Sequence, residues 1–337
     1  MTTPTISTSQ LIHYLDVLIA SNTPLFIHGS PGIGKSYIVA QVASDKGLEL
    51  VDVRLSQLDP VDLRGVPAIV EGQTVWMPPV FFPKDPNSSG ILFLDELNSA
   101  PPSVQAAIYQ LVLNRKMGEY VLPAGWRIVC AGNRMSDRGV VFRLPTPLAN
   151  RMVHLSVEAR FEDFKAFAIR AKLHPFVIGF LGFRPDLLST ESVVEDDANP
   201  AFATPRSYHM LSGVLHAGHL VERILPIVYG TIGYSAGLEF ASYVKVYEHL
   251  PDVGAILEGA FPTLDATQPA LLYALVSALL EYYDATAVHQ ANLLAFSYTL
   301  PTEFGVMLVK DVILKDESIA RHEAFEAWLE KFGEYIL

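Results

Sequence analysis

The sequence predicts an α/β fold, a mainly parallel sheet with helices on both faces, followed by an all-helical second part. Strand-like and helix-like segments alternate along the chain as far as Val157. A short apolar run, a glycine-rich loop and helical spacing follow one another over residues 24–43, the order of a strand, a loop and a helix. Strand signals stop after Ala159. We therefore expect an α/β core over residues 1–159 and an all-helical region over residues 160–337.

Apolar runs of strand length and segments with an apolar residue every three or four positions define the first part. Ser7 or Ser9 is a suitable N-cap for the first helix, and Glu71-Gly72-Gln73 is typical of a hairpin turn. The predicted helices are 8–20, 37–43, 103–113 and 144–149. The predicted strands are 24–28, 48–55, 68–70, 74–77, 91–94, 120–122, 127–131 and 153–157.

Helical spacing continues through the second part of the chain. The predicted helices are 161–173, 175–181, 206–217, 221–229, 235–249, 268–283, 287–295, 304–313 and 319–336. The interval from Gly230 to Gly233 divides one long helical pattern into two. The acidic segment 189–200 predicts a loop.

Composition limits the classes of protein to consider. The chain has 337 residues, of which 50% are hydrophobic and 18% charged, so we expect a globular protein. Its net charge of -12 argues against wrapping nucleic acid by bulk electrostatics. The single cysteine, Cys130, suits a reducing compartment, and the first ten residues do not resemble a signal peptide. No apolar run is long enough to cross a membrane, and we expect a cytoplasmic protein.

The glycine-rich loop has the pattern G-x-x-x-x-G-K-S between a strand and a helix, which is typical of a phosphate-binding P-loop. Glycines let successive backbone N–H groups point at phosphate oxygens, and the helix N-terminus adds partial positive charge. Lysine would reach the β- and γ-phosphates, and the serine hydroxyl would bind Mg²⁺. The sequence therefore predicts binding of a nucleoside triphosphate with Mg²⁺ by Gly29, Ser30, Pro31, Gly32, Ile33, Gly34, Lys35 and Ser36.

Two adjacent carboxylates follow the apolar strand 91–94. In a parallel sheet, ligands bind at the carboxyl ends of the strands. Asp95 is expected to help hold Mg²⁺, and Glu96 to orient and deprotonate the attacking water. A pair of carboxylates favours a hydrolase over a transferase.

Hydrolysis also requires groups that neutralise charge on the γ-phosphate. Asn133 follows the strand 127–131 through Gly132 and is predicted to contact the water or the γ-phosphate. Arg151 precedes the strand 153–157, and Arg206 stands at the head of a helix in the second part. Either arginine alone would ordinarily be a solvated surface residue, so these assignments depend on the order in which the motifs occur.

The motifs GSPGIGKS, ILFLDELN, CAGNR, LPTPLANR and ATPRSY resemble those of AAA+ ATPases and, within them, of the MoxR family. The resemblance covers about residues 25–212 and implies a P-loop NTPase core followed by a helical lid and a C-terminal helical extension. It implies the following roles: residues 29–36 as Walker A, Asp95 and Glu96 as Walker B, Asn133 as sensor 1, Arg151 as the arginine finger and Arg206 as sensor 2.

Two points remain open within this resemblance. Arg134 follows Asn133 where relatives commonly have proline. The segment NRMSDRG resembles loops of McrB-type GTPases, so the choice between ATP and GTP stays open. Arg134, Arg138 and Arg143 lie near Arg151, and any of them is an alternative for the residue that reaches a neighbouring subunit.

The resemblance also implies assembly and partners. An arginine finger acts on the site of the next subunit, so we expect an ATP-promoted ring, most simply a hexamer. MoxR-type proteins remodel or activate protein clients, often with a partner that contains a von Willebrand factor A domain. They also carry a β-hairpin insert between the second and third strands of the core, which the hairpin at 68–77 resembles; an ordinary loop-filling hairpin is the alternative.

A second hypothesis places the chain in another class, a nucleotide-gated motor or scaffold on nucleic acid, similar to helicase loaders or McrB. The acidic net charge counts against it. Residues 116–127 predict a second hairpin, however, and Arg115 and Lys116 at its start could contact a nucleic-acid strand. Stimulation of turnover by DNA would favour this hypothesis, and stimulation by a protein would favour the first.

Overall fold

The computed structural model describes residues 3–135, 137, 141–190 and 200–335. The chain divides into two compact units, Met1–Ala159 and Arg160–Leu337. The mainly parallel sheet with helices on both faces and the helical second part confirm the predicted fold class.

The first unit contains a six-stranded sheet in which every pair of neighbouring strands is parallel. Its strands lie in the order β1-β10-β2-β9-β6-β3. Their bounds are β1 Thr5–Ile6, β2 Leu25–His28, β3 Glu49–Arg54, β6 Ser89–Asp95, β9 Gly125–Gly132 and β10 Val153–Val157. The central strands β2, β9 and β6 are buried on both faces, which explains their continuous apolar sequences.

Five helices accompany the sheet among the described residues of the first unit: α1 Thr8–Ala20, α2 Lys35–Asp45, α3 Pro60–Arg64, α4 Pro102–Asn114 and α5 Thr146–Ala149. Alternate residues of β2 point to opposite faces of the sheet. Phe26 packs with the apolar residues of α4 and α5. Leu25 and Ile27 pack on the other face with those of α1 and α2. The P-loop strand is thus fixed from both sides.

Two short antiparallel hairpins lie outside this sheet. The first pairs β4 Val66–Val70 with β5 Gln73–Met77, and the second pairs β7 Lys116–Met117 with β8 Tyr120–Val121. Glu71 and Gly72 both have positive φ, as the two-residue turn of a hairpin requires, so this predicted turn is confirmed. Several large apolar side chains of the first hairpin are exposed, with Ile69 at 83% and Trp76 at 41%.

Helices are the only regular secondary structure among the described residues of the second unit. Its helices are α6 Phe161–Arg170, α7 Pro175–Phe183, α8 Pro205–His216, α9 Leu225–Ile232, α10 Tyr234–Val244, α11 Val253–Leu257, α12 Pro269–Tyr282, α13 Ala287–Ser297, α14 Thr302–Lys315 and α15 Glu323–Phe332. The predicted break between the two helices falls at Gly233, whose φ of 85° ends α9. Residues 191–199 of the predicted acidic loop lie outside the described residues.

Sequence patterns missed two short elements of the first unit. Strand β1 has only two residues, which is too short to show alternation, and its pairing with β10 depends on residues far along the chain. Helix α3 has five residues, but its start carries recognisable signals in Asp59 as a capping-box residue and Pro60 at the first helical position. Among the described residues, no helix has the combined length and apolar character needed to cross a bilayer.

Candidate nucleotide site

Three neighbouring strands of the sheet carry the predicted site residues at their carboxyl ends. Strand β2 leads into the P-loop, β6 ends at Asp95, and β9 lies between them and ends at Gly132, directly before Asn133. The backbone ladder continues past the strand ends, since Gly29 N donates to Gly132 O at 3.1 Å and Leu97 N donates to Ala131 O at 3.0 Å. The topology thus brings Walker A, Walker B and Asn133 to one edge of the sheet.

The P-loop has the backbone shape that a phosphate cradle requires. Gly32 and Gly34 have φ values of 79° and 100°, which residues with a side chain rarely adopt. Helix α2 starts immediately afterwards at Lys35, two residues earlier than the sequence pattern indicated, so its N-terminal N–H groups belong to the loop. No side chain caps this helix end. An anion is the natural partner of these N–H groups.

Lys35 is only 9% exposed and lies within the loop. Its Nζ donates hydrogen bonds to the carbonyl oxygens of Gly29 at 2.6 Å and Ser30 at 3.1 Å. A lysine held against its own loop places a positive charge where the β- and γ-phosphates of a nucleotide would lie.

Ser36 and Asp95 meet directly. The Ser36 Oγ donates to Asp95 Oδ2 at 3.0 Å, and the other carboxylate oxygen, Oδ1, accepts from Glu96 N at 2.9 Å. Asp95 is 7% exposed. A hydroxyl and a carboxylate oxygen side by side fit Mg²⁺, which proteins bind through one or two such oxygens together with phosphates and waters. The residues present therefore fit the predicted cofactor, Mg²⁺ with a nucleotide.

Glu96 adopts a left-handed backbone conformation with a φ of 57°, which is unusual for a residue with a side chain. Its carboxylate accepts a hydrogen bond from the hydroxyl of Ser56, which lies two residues after the end of the neighbouring strand β3. Such backbone strain persists where surrounding contacts fix the residue, and it is concentrated at functional sites. Sequence analysis missed Ser56, because no local pattern relates it to a residue 40 positions away.

Asn133 is fixed by a second asparagine that sequence analysis also missed. Asn98 is 4% exposed, accepts from Asn133 N at 3.2 Å and donates to Asn133 O at 2.7 Å. Gly132 allows this approach, because a Cβ at that position would lie 1.9 Å from the Asn98 Oδ1. Asn98 follows the carboxylate pair in the ILFLDELN run, so its position in the motif was the available signal.

The segment after Asn133 is linked to the P-loop. Asp137 accepts from Arg134 N at 2.6 Å and from the Ser30 hydroxyl at 3.3 Å. The Arg134 guanidinium donates to Val157 O at 2.5 Å, inside its own unit. This contact makes Arg134 a poor choice for the residue that reaches a neighbour. Arg143 is exposed, and Arg138 lies outside the described residues.

Arg151 lies at the opposite edge of the sheet from the P-loop. It precedes β10, whose Val153 is in register with Leu25, and so stands level with the start of β2 rather than with its end. At about 3.3 Å per residue, the separation from Gly29 is roughly 20 Å, well beyond the reach of an arginine side chain. Arg151 is exposed and lines a cavity of about 260 Å³ with Asn22, Pro24, Val112, Leu113, Arg115 and Ile128.

Arg206 belongs to the second unit, where it is exposed in the first turn of α8. Thr204 caps this helix through a capping box with Ser207, which fixes the backbone around Arg206. Its role as sensor 2 stays a prediction.

Residues 24–152 match a family model described as AAA domain, dynein-related subfamily. Over these residues the chain is similar to AAA domains. Midasin of Dictyostelium discoideum is 29% identical over 146 residues, and midasin of Giardia intestinalis is 31% identical over 143 residues. Each match covers 40% of this chain but only 2% and 3%, respectively, of those much longer relatives. The AAA match covers the P-loop, the carboxylate pair, Asn133 and Arg151.

Among solved structures, the Thermotoga maritima RuvB Holliday junction branch migration motor is similar over 81% of this chain and 80% of its own, with 15% identity and a TM-score of 0.37. A TM-score this low carries no argument about function. The comparisons leave open which branch of the AAA+ proteins this chain resembles most.

Proposed function

We propose that the chain is an ATP-hydrolysing, MoxR-like AAA+ protein that uses the hydrolysis cycle to remodel or activate a protein client. One observation carries the hydrolase part of this proposal. The hydrogen bond of 3.0 Å between Ser36 and Asp95 joins Walker A to Walker B, with Lys35 and Glu96 at the same edge of the sheet.

Each side chain at this edge has a distinct task. The loop N–H groups and Lys35 bind the phosphates, and Ser36 with Asp95 would hold the magnesium ion. When bound, Mg²⁺ supplies positive charge that stabilises the triphosphate during cleavage. Glu96 accepts a proton from the attacking water, and Ser56 holds the carboxylate in place. Asn133, fixed by Asn98, is suited to position the water or the γ-phosphate.

The position of Arg151 supports a ring. A catalytic arginine about 20 Å from its own P-loop is useful only to another subunit. Contacts of this head-to-tail kind close into a ring if the rotation between subunits allows it. A hexamer with Arg151 of each subunit directed at the next subunit's nucleotide is the assembly we propose, with Arg206 as the sensor of the helical region.

A protein client agrees better with the surface of the first unit than nucleic acid does. The first hairpin exposes apolar side chains, including Ile69 and Trp76. Arg115, which was a candidate for touching a nucleic-acid strand, turns inward and donates to the carbonyl oxygens of Pro123 at 2.7 Å and Trp126 at 2.9 Å. A partner with a von Willebrand factor A domain and a cytoplasmic location remain part of the proposal through the MoxR resemblance alone.

The test is hydrolysis of Mg·ATP by the purified chain and by two matched variants. Glu96→Gln should bind ATP with nearly unchanged affinity and lose turnover by about a hundredfold or more, because a general base typically contributes 10²–10⁴-fold. Glu119→Gln makes the same change on an exposed hairpin residue and should leave turnover unchanged. Rapid hydrolysis by Glu96→Gln would contradict the mechanism, and stimulation by DNA rather than by protein would contradict the proposed client class. Repeating the assay with GTP decides the base preference.

A further inference from the structure

Two histidines lie side by side between the P-loop strand and its neighbour. His28 is the last residue of β2 and His154 is the second residue of β10. The His28 Nε2 lies 2.9 Å from the His154 Nδ1, and the two rings stack with centroids 5.2 Å apart. Phe26 packs against both rings, at 4.3 Å and 5.6 Å. The mechanism above uses neither histidine.

The second nitrogen of His154 continues the chain of hydrogen bonds. Its Nε2 lies 2.7 Å from the carbonyl oxygen of Ala149, the last residue of α5. A carbonyl oxygen can only accept, so Nε2 carries the hydrogen and, in a neutral ring, Nδ1 is the acceptor. His28 must then donate from its own Nε2. With both rings neutral, the contacts thus require the Nε2-protonated tautomer of each.

The surroundings of His28 favour this neutral form. Burial, and to a smaller extent the nearby His154, Arg134 and Lys35, together lower the pKa of His28 to about 4. These three groups come from β10, from the segment after β9 and from the start of α2. Because two of them are permanent cations, a charged His28 would be repelled as well as poorly solvated.

The hydrogen-bonded chain joins two parts of the first unit that, in the proposed function, act on different nucleotides. At one end, His28 directly precedes Gly29 of the P-loop. At the other end, the Ala149 carbonyl belongs to the last turn of α5, and Arg151 follows two residues later, with its backbone N donating to Leu148 O at 3.1 Å. Helix α5 has only four residues, so it has little hydrogen bonding of its own to fix that turn.

We propose that His28 and His154 are positioning residues that hold the α5 turn, and with it Arg151, in a fixed place relative to the P-loop strand. The proposal rests on the proposed action of Arg151 on a neighbouring subunit. It predicts that loss of the histidine contacts makes Arg151 less effective at the nucleotide site of the neighbouring subunit. The nucleotide site of the substituted subunit itself should stay intact.

Two substitutions at position 154 separate this role from general packing. His154→Phe keeps an aromatic ring beside Phe26 but removes both hydrogen bonds, and it should lower kcat roughly tenfold with ATP affinity changed by less than about twofold. His154→Gln can still accept at one terminal atom and donate at the other, so it should restore most of the lost turnover. Equal losses in both variants would overturn the proposal.

Mixed assemblies locate the defect. Lys35→Ala subunits cannot use their own site but carry a normal Arg151, so mixing them with His154→Phe subunits should raise turnover per intact site towards the wild-type value. A mixture of Lys35→Ala with Arg151→Ala serves as the control and should recover likewise. Recovery only in the control would overturn the positioning role and leave the role of Arg151 standing. Failure of the control would overturn the action of Arg151 in a neighbouring site, and the positioning role with it.

A separate measurement needs no hydrolysis. Long-range ¹H–¹⁵N spectra of the side chains at neutral pH should show His28 and His154 as the Nε2-protonated tautomer, and His154→Phe should alter the signals of His28. A His154 ring protonated on Nδ1 would overturn the proposal.

Discussion

Single side chains hold the candidate site together through contacts among themselves. Ser36 contacts Asp95, Ser56 contacts Glu96, and Asn98 contacts the backbone of Asn133. Each contact joins the ends of two different strands or of a strand and the P-loop. These contacts place the side chains of the candidate site before any ligand binds, which is the preorganisation that the proposed phosphoryl transfer requires.

Ser56 provides a prediction at this scale. Ser56→Ala removes the hydroxyl that orients the Glu96 carboxylate, and we expect kcat for ATP hydrolysis to fall by about threefold to tenfold, the effect of roughly one hydrogen bond. ATP affinity should not change, because Ser56 does not belong to the P-loop. Steady-state hydrolysis together with nucleotide titration would measure both. Ser56→Thr keeps the hydroxyl and is the control; an Ala variant as active as the Thr variant would show that Glu96 needs no such support.

His28 provides a prediction about pH. Its pKa in the folded chain is about 4, below the usual value of 6.5, first because the ring is buried. Between these two values the unfolded chain binds a proton that the folded chain excludes, so the free energy of unfolding decreases as the pH falls from 6.5 towards 4. Above pH 6.5 the group makes no contribution.

The measurement is the melting temperature of wild type and of His28→Phe at a series of pH values between 7 and 5. The wild type should lose melting temperature more steeply than the variant, because phenylalanine has no proton to bind. Parallel curves would show that another group governs the acid response.

At the scale of helices and strands, sequence patterns were informative where one element carries its own signal. The P-loop was predictable because eight consecutive residues carry it, and the β4–β5 hairpin because its turn residues are local. The contacts of Ser56, Asn98 and His154 were not predictable, since their partners are 40, 35 and 126 positions away and meet only when the strands align. These contacts depend on which strands are neighbours in the sheet, and local sequence patterns do not show that order.

Helix α12 gives a prediction at the scale of an element. Its C-terminal carbonyl groups are capped from α14, because the Lys315 Nζ contacts the carbonyl oxygens of Leu280 and Glu281 and lies 2.9 Å from that of Tyr283. Cationic side chains at a helix C-terminus satisfy its last carbonyls and favour its dipole. Lys315→Met keeps most of the apolar stem and should destabilise the helical unit by about 0.5–1 kcal/mol.

Denaturant unfolding monitored by helical circular dichroism would measure this change. Lys310→Met is the matched control, because Lys310 lies on the same helix, is exposed and makes only a 3.4 Å contact with Tyr335 O. If both variants lose the same stability, the cap on α12 contributes nothing.

At the scale of the whole molecule, the first unit contains a P-loop with its carboxylates at one edge of the sheet and an exposed arginine at the other. The two features cannot meet within one chain, whereas adjoining copies could bring them together. The match of residues 24–152 to an AAA domain agrees with this arrangement. The proposed sensor role of Arg206 in the helical unit is tested by the effect of an Arg206→Ala variant on turnover.

The last prediction concerns assembly. If Arg151 contacts the γ-phosphate of a neighbour, ATP bridges two subunits and ADP does not, so ligand binding and association must strengthen each other. Light scattering of Glu96→Gln, which should retain ATP, is expected to show a ring with Mg·ATP and smaller species with Mg·ADP. Adding Arg151→Ala to this variant should shift assembly to ATP concentrations or protein concentrations at least several-fold higher, because one charged contact per interface is lost. A particle that keeps the mass of one chain at saturating ATP would contradict the ring and, with it, the role of Arg151. An equally stable ring in the double variant would instead assign the bridging contact to another residue. The exposed Arg143 would be the next residue to test.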